Sequence, residues 1–210
     1  MSKAATAATI GDAPVSKREA VLRAATEVFL QVGFGAASMD VIARAANVSK
    51  ATVYAHFASK EALFAAIIEN GCRNRFRDID AGETASGDIV EGLRTIGHRF
   101  FDMALSPGGL SIYRVVVAES ARFPELGRAF YDSGPTVTRD SIERFLRRAV
   151  ARGQLEIDDP RVAGDQFVGM IKGDLYVRLL LGVTREAARE EIGRVVEQAV
   201  STFLAAYAPR

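Results

Sequence analysis

The sequence predicts an all-α protein, with a three-helix head at its N-terminal end and a larger helical bundle behind it. Two observations favour this class. Apolar residues recur with helical spacing from residue 16 onward, and no segment alternates apolar and polar residues for long enough to form a strand. The breaks between periodic segments fall at runs that contain Gly or Pro: 106–109, the neighbourhood of Pro124, 133–135 and 158–160.

Composition limits the class of protein. With 210 residues, 49% of them hydrophobic, the chain is able to bury a sizeable core. Its net charge of +1 gives no global attraction to nucleic acid or membrane, but the charge is unevenly spread. Residues 1–60 carry seven basic and four acidic side chains. A basic surface is therefore expected in the N-terminal quarter.

The sequence carries no clear catalytic or targeting signal. Its single cysteine and two histidines lack the spacing of metal ligands, and no nucleophile motif or phosphate loop stands out. We therefore expect no enzyme activity, no metal and no cofactor. Neither a signal sequence nor an uncharged apolar run of about 18 residues is present, so a cytoplasmic protein with no membrane partner is expected.

The order of the first elements follows from local signals. The first 15 residues are small and polar, which predicts a disordered tail. Ser16 stands three positions before Glu19, the spacing of a capping box, ahead of a periodic apolar set. The first helix is predicted to end at Gly33. We divide the chain into residues 1–15, a head at 16–60 and a bundle at 61–210.

Capping residues predict the next three helices. Ser38 caps the second helix, and Asn47 ends it in the left-handed conformation. Ser49 caps a third helix that runs to about Phe57, and Ser59 caps a longer fourth helix. Five further periodic segments predict about five helices in the bundle: 88–105, 110–123, 136–154, 160–182 and 189–207.

The second and third helices form a helix-turn-helix layout, with Val48, Val53 and Phe57 spaced to pack inward. A helix that enters the major groove needs small residues near base edges and hydrogen-bonding or basic groups near phosphates. The outer residues of the third helix have this mixture: Lys50, Ala51, Thr52, Tyr54, Ala55 and His56. Lys60 lies at the start of the fourth helix, where a helix N-terminus favours phosphate.

The run from Ala24 to Leu63, AATEVFLQVGFGAASMDVIARAANVSKATVYAHFASKEAL, resembles the DNA-binding domain of the TetR family of bacterial transcriptional repressors. It covers about a fifth of the chain, and an ordered set of elements is far more specific than any one of them. The matching elements, in chain order, are Phe29, Gly33 and Phe34; Ser38 and Met39; Ile42 and Ala43; Asn47, Val48 and Ser49; Thr52, Tyr54, His56 and Phe57; and Lys60, Glu61 and Leu63.

The resemblance implies a sequence-specific regulator of transcription. It would be a repressor that leaves a pseudo-palindromic operator when a small apolar or amphipathic ligand binds in the bundle. The residues that would face the major groove are Lys50, Ala51, Thr52, Tyr54 and Ala55. Those that would meet phosphates are Ser38, Met39 through its backbone, Thr52, Tyr54, His56 and Lys60. The groove-facing set lacks Arg, the residue best suited to reading guanine.

The resemblance also implies a homodimer through the last two helices and a ligand cavity in the bundle. The candidate ligand residues are aromatic, flexible or polar side chains: His98, Phe101, Met103, Tyr113, Arg114, Phe130, Met170, Asp174 and Tyr176. Such residues belong to an ordinary core more often than to a ligand site. The apolar stripes of the last two helices could likewise be buried within their own chain. The alternative function is a helical adaptor or ligand-binding protein without DNA binding.

Overall fold

The all-α prediction is confirmed. The computed structural model describes residues 16–80, 87–106 and 108–209, and over these residues the chain forms eleven α-helices and no β-strand. The predicted tail at 1–15 lies outside the described residues. The helices are α1 Lys17–Ala36, α2 Met39–Ala45, α3 Lys50–His56, α4 Lys60–Asp80, α5 Ile89–Ala104, α6 Gly109–Glu119, α7 Pro124–Ser133, α8 Pro135–Ala151, α9 Pro160–Ile171, α10 Asp174–Leu181 and α11 Arg189–Tyr207.

The predicted helix starts in the head are confirmed. Ser16 and Glu19 form the reciprocal capping box: the Glu19 N–H donates to Ser16 Oγ over 3.2 Å, and the Ser16 N–H donates to Glu19 Oε2 over 3.0 Å. The Ser38, Ser49 and Ser59 hydroxyls each accept a backbone N–H at the start of α2, α3 and α4. These caps supply partners for N–H groups that have none within the helix.

Both helix ends predicted in the head are marked by a residue with positive φ. Asn47 has φ 53°, so the predicted left-handed residue after α2 is confirmed. The first run of helix ends at Gly33, as predicted, because Gly33 is non-helical with φ 77° and ψ 171°. A short helical piece follows this kink as far as Ala36. The backbone conformation at Gly33 strongly favours glycine.

The bundle contains more helices than the five predicted. Seven described helices, α5 to α11, follow α4. The segment after Pro124 forms α7, which the sequence analysis left unassigned, and Pro135 starts α8 immediately after it. Residues 160–182 are split into α9 and α10 at Lys172 and Gly173. Proline fits the first turn of a helix, so each of these prolines begins a helix rather than only ending one.

Two hydrophobic cores organise the described residues. In the first, the rings of Phe29, Phe34 and Phe64 pack against one another with centroids 5.4–5.7 Å apart. This core continues into α6 and α7 through Ile112, Val116 and Leu126. The second core joins α5 and α8–α11. The head is therefore packed directly on α6 and α7. None of the described helices is both long and apolar enough to cross a membrane.

Candidate functional site

The outer side of α3 is presented to solvent. Lys50, Ala51, Tyr54, Ala55 and His56 are exposed, and Tyr54 keeps 46% of its surface accessible. Thr52 is half-buried, and its hydroxyl contacts Ser49 Oγ over 2.8 Å. The inward residues Val53 and Phe57 are buried, as predicted. The exposed side thus combines a basic, an aromatic and an imidazole side chain with two alanines, a mixture that suits contact with DNA.

Lys50, at the first position of α3, is paired with an acidic residue of α2. Lys50 Nζ lies 2.8 Å from Asp40 Oδ1, with both side chains more than half exposed. The hydrogen bond to Asp40 raises the pKa of Lys50, so the lysine stays charged. An exposed pair of this kind contributes little to stability. Lys50 can therefore leave Asp40 for a phosphate or a base edge at small cost.

The remaining predicted DNA contacts have different placements. Ser38 is exposed beside the start of α2, and the Met39 side chain is buried, which leaves only its backbone for a phosphate. Lys60 requires a correction. Its ammonium donates to Phe34 O over 2.6 Å and Ala37 O over 3.0 Å, and it stands 4.3 Å from the Phe34 ring centroid. It holds the chain between α1 and α2 instead of facing outward.

The same junction, residues 33–37, is held from the bundle side by Glu119. This residue ends α6, and its carboxylate accepts the N–H of Phe34 over 2.8 Å and that of Gly35 over 2.7 Å. A Cβ added at Gly33 would lie 2.4 Å from Glu119 Oε1. Glycine is therefore required at Gly33 both by its φ and by the close carboxylate. We name this set of contacts the Glu119 latch.

A cavity of about 700 Å³ lies where the head meets the bundle. Its walls include Leu22 and Thr26 from α1, together with residues of α4–α9 and Tyr176 of α10. The cavity has an aromatic wall of four rings, whose neighbouring centroids are 5.5–6.4 Å apart: Phe100, Tyr113, Phe130 and Tyr176. A volume of this size accommodates a drug-sized organic molecule.

The structure brings four of the predicted ligand residues to this cavity: Met103, Tyr113, Phe130 and Tyr176. The other five predicted residues do not line the cavity, so their prediction as ligand contacts is wrong. Phe101 is buried in the second core, and His98 is exposed. Arg114 donates to the carbonyls of Leu179 and Leu180, each over 2.7 Å.

Met170 and Asp174 also lie outside the cavity. Met170 lines a groove between α9 and α11, away from the cavity. Asp174 pairs with Arg178 over 2.8 Å and has 82% of its side chain exposed. The break at Gly173 separates α9 from α10, so a single helical wheel drawn through 160–182 could not place these two side chains.

Sequence reasoning missed several polar residues of the cavity, among them Thr138, Arg139, Asp165 and Lys172. Arg139 Nε donates to Asp165 Oδ1 over 2.6 Å and its Nη1 donates to Tyr131 Oη over 2.9 Å. Burial lowers the pKa of Lys172, with Asp165 opposing the shift. Burial also raises the pKa of Tyr176 to about 12, so its hydroxyl keeps its proton and remains a donor at neutral pH.

Thr138 leads to a stability prediction. Its residue is 8% exposed, and its hydroxyl has no hydrogen-bond partner within the described part of the chain. We expect Thr138→Val to increase the free energy of unfolding by about 1 kcal/mol, because a buried hydroxyl without a partner is removed. Thermal unfolding should record a rise of about 2–4 °C. A lower melting temperature would contradict the conclusion that the Thr138 hydroxyl is buried without a hydrogen-bond partner.

Comparison with known proteins identifies the chain. The model for the N-terminal domain of bacterial regulatory proteins of the TetR family matches residues 21–67. The model for the C-terminal domain of AefR-like transcriptional repressors matches residues 91–209, more than half of the chain. The chain belongs to the TetR family. It is a DNA-binding regulator of transcription and not an enzyme. TetR-family regulators bind DNA operators and typically act as dimers.

Individual TetR-family members agree with this assignment. The regulator UidR of Escherichia coli K12 is 31% identical over 144 residues, which are 67% of this chain and 70% of UidR. The repressor AcnR of Corynebacterium glutamicum is 23% identical over 185 residues, covering 88% of this chain and 93% of AcnR. The structure of the flavonoid-responsive regulator FrrA superposes with a TM-score of 0.75 at 40% identity, covering 92% of this chain and 98% of FrrA.

Proposed function

We propose that this TetR-family protein is a repressor that leaves a pseudo-palindromic operator when a small aromatic ligand enters the cavity. One observation carries the proposal: the cavity is walled by α1 of the head as well as by the bundle. A ligand there contacts both parts at once. If the head and the bundle adopt two arrangements, the ligand shifts the equilibrium between them by the difference in its binding free energy for the two. This difference is commonly about 1–3 kcal/mol.

The ligand class rests on two supports. The aromatic wall favours a planar aromatic molecule, since stacked and edge-on ring pairs add to the hydrophobic contribution. The similar protein FrrA is named as flavonoid-responsive, and this chain is 40% identical to it. An aromatic compound of flavonoid size is therefore our proposed effector. The protein would act in the cytoplasm, where bacterial DNA lies.

DNA binding is assigned to the exposed side of α3. Lys50, Ala51, Tyr54 and Ala55 would face the major groove, while Ser38, the Met39 N–H and His56 would meet phosphates. Thr52 would contact either a base edge in the groove or a phosphate. Two such heads would occupy half-sites about 34–36 Å apart or at a multiple of that distance. The paired Lys50 would exchange Asp40 for DNA on binding.

The Glu119 latch supplies a route from cavity to head. Helix α6 contributes Gly109, Ile112 and Tyr113 to the cavity and ends in the carboxylate that holds Phe34 and Gly35. A ligand that displaces α6 would move this carboxylate. Because the latch binds the chain that leads directly into α2, the movement would reach the helix-turn-helix.

The dimer would form through α9, α10 and α11, with a change from the expected contacts. The apolar stripe of α11, for which burial within its own chain was the alternative to a dimer contact, includes Val196, Val200 and Phe203, and these three residues are buried within their own chain. Exposed apolar residues instead follow α9 and α10, where Val162 and Val177 are each 48% exposed and Leu181 is 72% exposed. Thr202 and Ala206 of α11 are also exposed and line a groove with Gln166, Gly169 and Met170 of α9. An uncovered apolar face of this kind suits a symmetric partner.

Thr202→Arg tests the dimer face. Thr202 is exposed and lies in the groove between α9 and α11, so arginine fits an isolated chain and improves its helix propensity. In the proposed interface the added bulk and charge would prevent close packing, and sedimentation velocity should record a monomer that stays folded. Ala151→Arg, at the exposed last residue of α8, is the matched control and should remain dimeric. A dimeric Thr202→Arg variant would place the interface elsewhere.

The ligand response is tested by fluorescence anisotropy on a labelled operator fragment, with the flavonoid naringenin as probe. We expect naringenin to reduce the affinity of the wild-type protein for the operator by about 5–150-fold, the usual range of coupling between sites. An operator affinity that does not change while naringenin is bound in the cavity would contradict the proposed repressor mechanism.

A further inference from the structure

The cavity contains a cation set against aromatic rings. Lys172 caps the C-terminal end of α9, and its Nζ lies 5.9 Å from the ring centroids of both Phe100 and Tyr176. The ammonium has no ion-pair or hydrogen-bond partner among the described residues. Lys172 lines the cavity while the residue as a whole remains exposed, so its charge keeps contact with water as well as with the two rings. An anionic ligand atom beside it would replace some of this water.

The charges around Lys172 do not neutralise it. Among the described residues that line the cavity, Arg23, Arg139 and Lys172 are basic and Asp165 is acidic. Asp165 is bound by Arg139 in a two-point contact that uses both carboxylate oxygens. Arg23 lies at the α1 side and is exposed. The cavity is therefore apolar over most of its wall but positively charged overall.

We infer that the cavity selects acidic aromatic ligands, with Lys172 pairing an anionic oxygen of the ligand while the aromatic wall holds its rings. The anion would be a phenolate, carboxylate or sulfonate. Neutral aromatic molecules of the same size would enter the cavity but bind more weakly. This inference rests on the proposed ligand-binding function and adds the charge of the ligand to it.

Two dyes with the same ring system test this selectivity. 8-Anilinonaphthalene-1-sulfonate carries a permanent anion, and N-phenyl-1-naphthylamine lacks it. The chain has no tryptophan, so Tyr113→Trp introduces one fluorophore on the cavity wall. Energy transfer from this tryptophan to a bound dye is most efficient for a dye in this cavity, and loss of the transfer on addition of excess naringenin identifies the dye that is bound there. Both dyes are titrated against the full-length Tyr113→Trp protein, alone and combined with Lys172→Met or Lys172→Arg.

We expect Lys172→Met to weaken binding of the sulfonate dye by at least about tenfold, the loss of one charge-assisted contact. Binding of the neutral dye should change by less than about twofold, which also verifies that the variant is folded and its cavity intact. Lys172→Arg should retain sulfonate binding. Thr138→Val should change the binding of both dyes by less than about twofold, because the Thr138 hydroxyl is not accessible from the cavity.

Two results would overturn the inference. The first would leave the proposed ligand-binding function intact, and the second would not. If Lys172→Met weakens both dyes equally, or neither, the lysine does not read ligand charge, although the cavity still binds ligands. If neither dye gives energy transfer with the Tyr113→Trp protein, the cavity itself is not a binding site. That second result would remove the proposed ligand response as well.

Discussion

Tyr54→Ala is expected to reduce affinity for the operator by about 10–100-fold, while the protein remains dimeric and melts within about 2 °C of the wild type. Tyr54 stands near the middle of α3 with 46% of its surface exposed. Its loss removes little packing within the head, so the effect should fall on DNA contact. Either a thymine methyl or a phosphate oxygen can be its partner, and both contacts disappear in alanine.

Fluorescence anisotropy on specific and scrambled duplexes would measure this change, with sedimentation velocity on the same samples. Val117→Ala is a suitable control, since Val117 is 60% exposed on α6 and outside the α3 surface. Loss of the dimer or of the folded state in Tyr54→Ala would mean that the side chain supports the core. Unchanged operator affinity would remove Tyr54 from the DNA-binding surface.

Glu119→Ala should separate ligand binding from its effect on DNA. The change leaves the N–H groups of Phe34 and Gly35 without their carboxylate acceptor. We expect a loss of about 2–4 kcal/mol in the free energy of unfolding, since hydrogen bonds to charged groups contribute about 1.5–3 kcal/mol each and one of these is exposed. Naringenin should still bind in the cavity, but its effect on operator affinity should shrink to less than about threefold.

Calorimetry gives the ligand affinity and anisotropy gives the operator affinity in its presence and absence. Glu186→Ala changes an exposed carboxylate in the segment between α10 and α11 and should behave as the wild type in both measurements. A Glu119→Ala protein that keeps the full ligand response would exclude the latch as the route from cavity to head. The head would then have to respond through α1 or α4.

The parts of the fold that sequence predicted well are those determined locally. Ser16, Ser38, Ser49 and Ser59 each act on N–H groups within three residues, and Asn47 adopts its left-handed conformation on local grounds. Their roles depend on neighbours that are visible in the sequence. The buried positions of Val53 and Phe57 follow from helical periodicity in the same way.

The parts that sequence missed depend on contacts between distant segments. Lys60 is drawn from the predicted phosphate site by carbonyls of residues 34 and 37, and Glu119 meets a backbone 84–85 positions away. Lys172 could not be recognised as a ligand candidate, because the two rings near it, Phe100 and Tyr176, come from two different helices, α5 and α10. Periodicity alone could not distinguish Phe100, which lines the cavity, from Phe101, which is buried beside it.

In vitro selection of random double-stranded DNA by the purified protein, at two salt concentrations, tests the central claim most directly. If two exposed α3 helices read an operator together, the selected sequences should converge on a pseudo-palindrome. Its half-sites should lie about one helical turn, ~34–36 Å, or a multiple of that apart, and it should persist at the higher salt concentration. Recovery of no common motif, or of sequence-independent binding that disappears with salt, would contradict the assignment of the α3 surface.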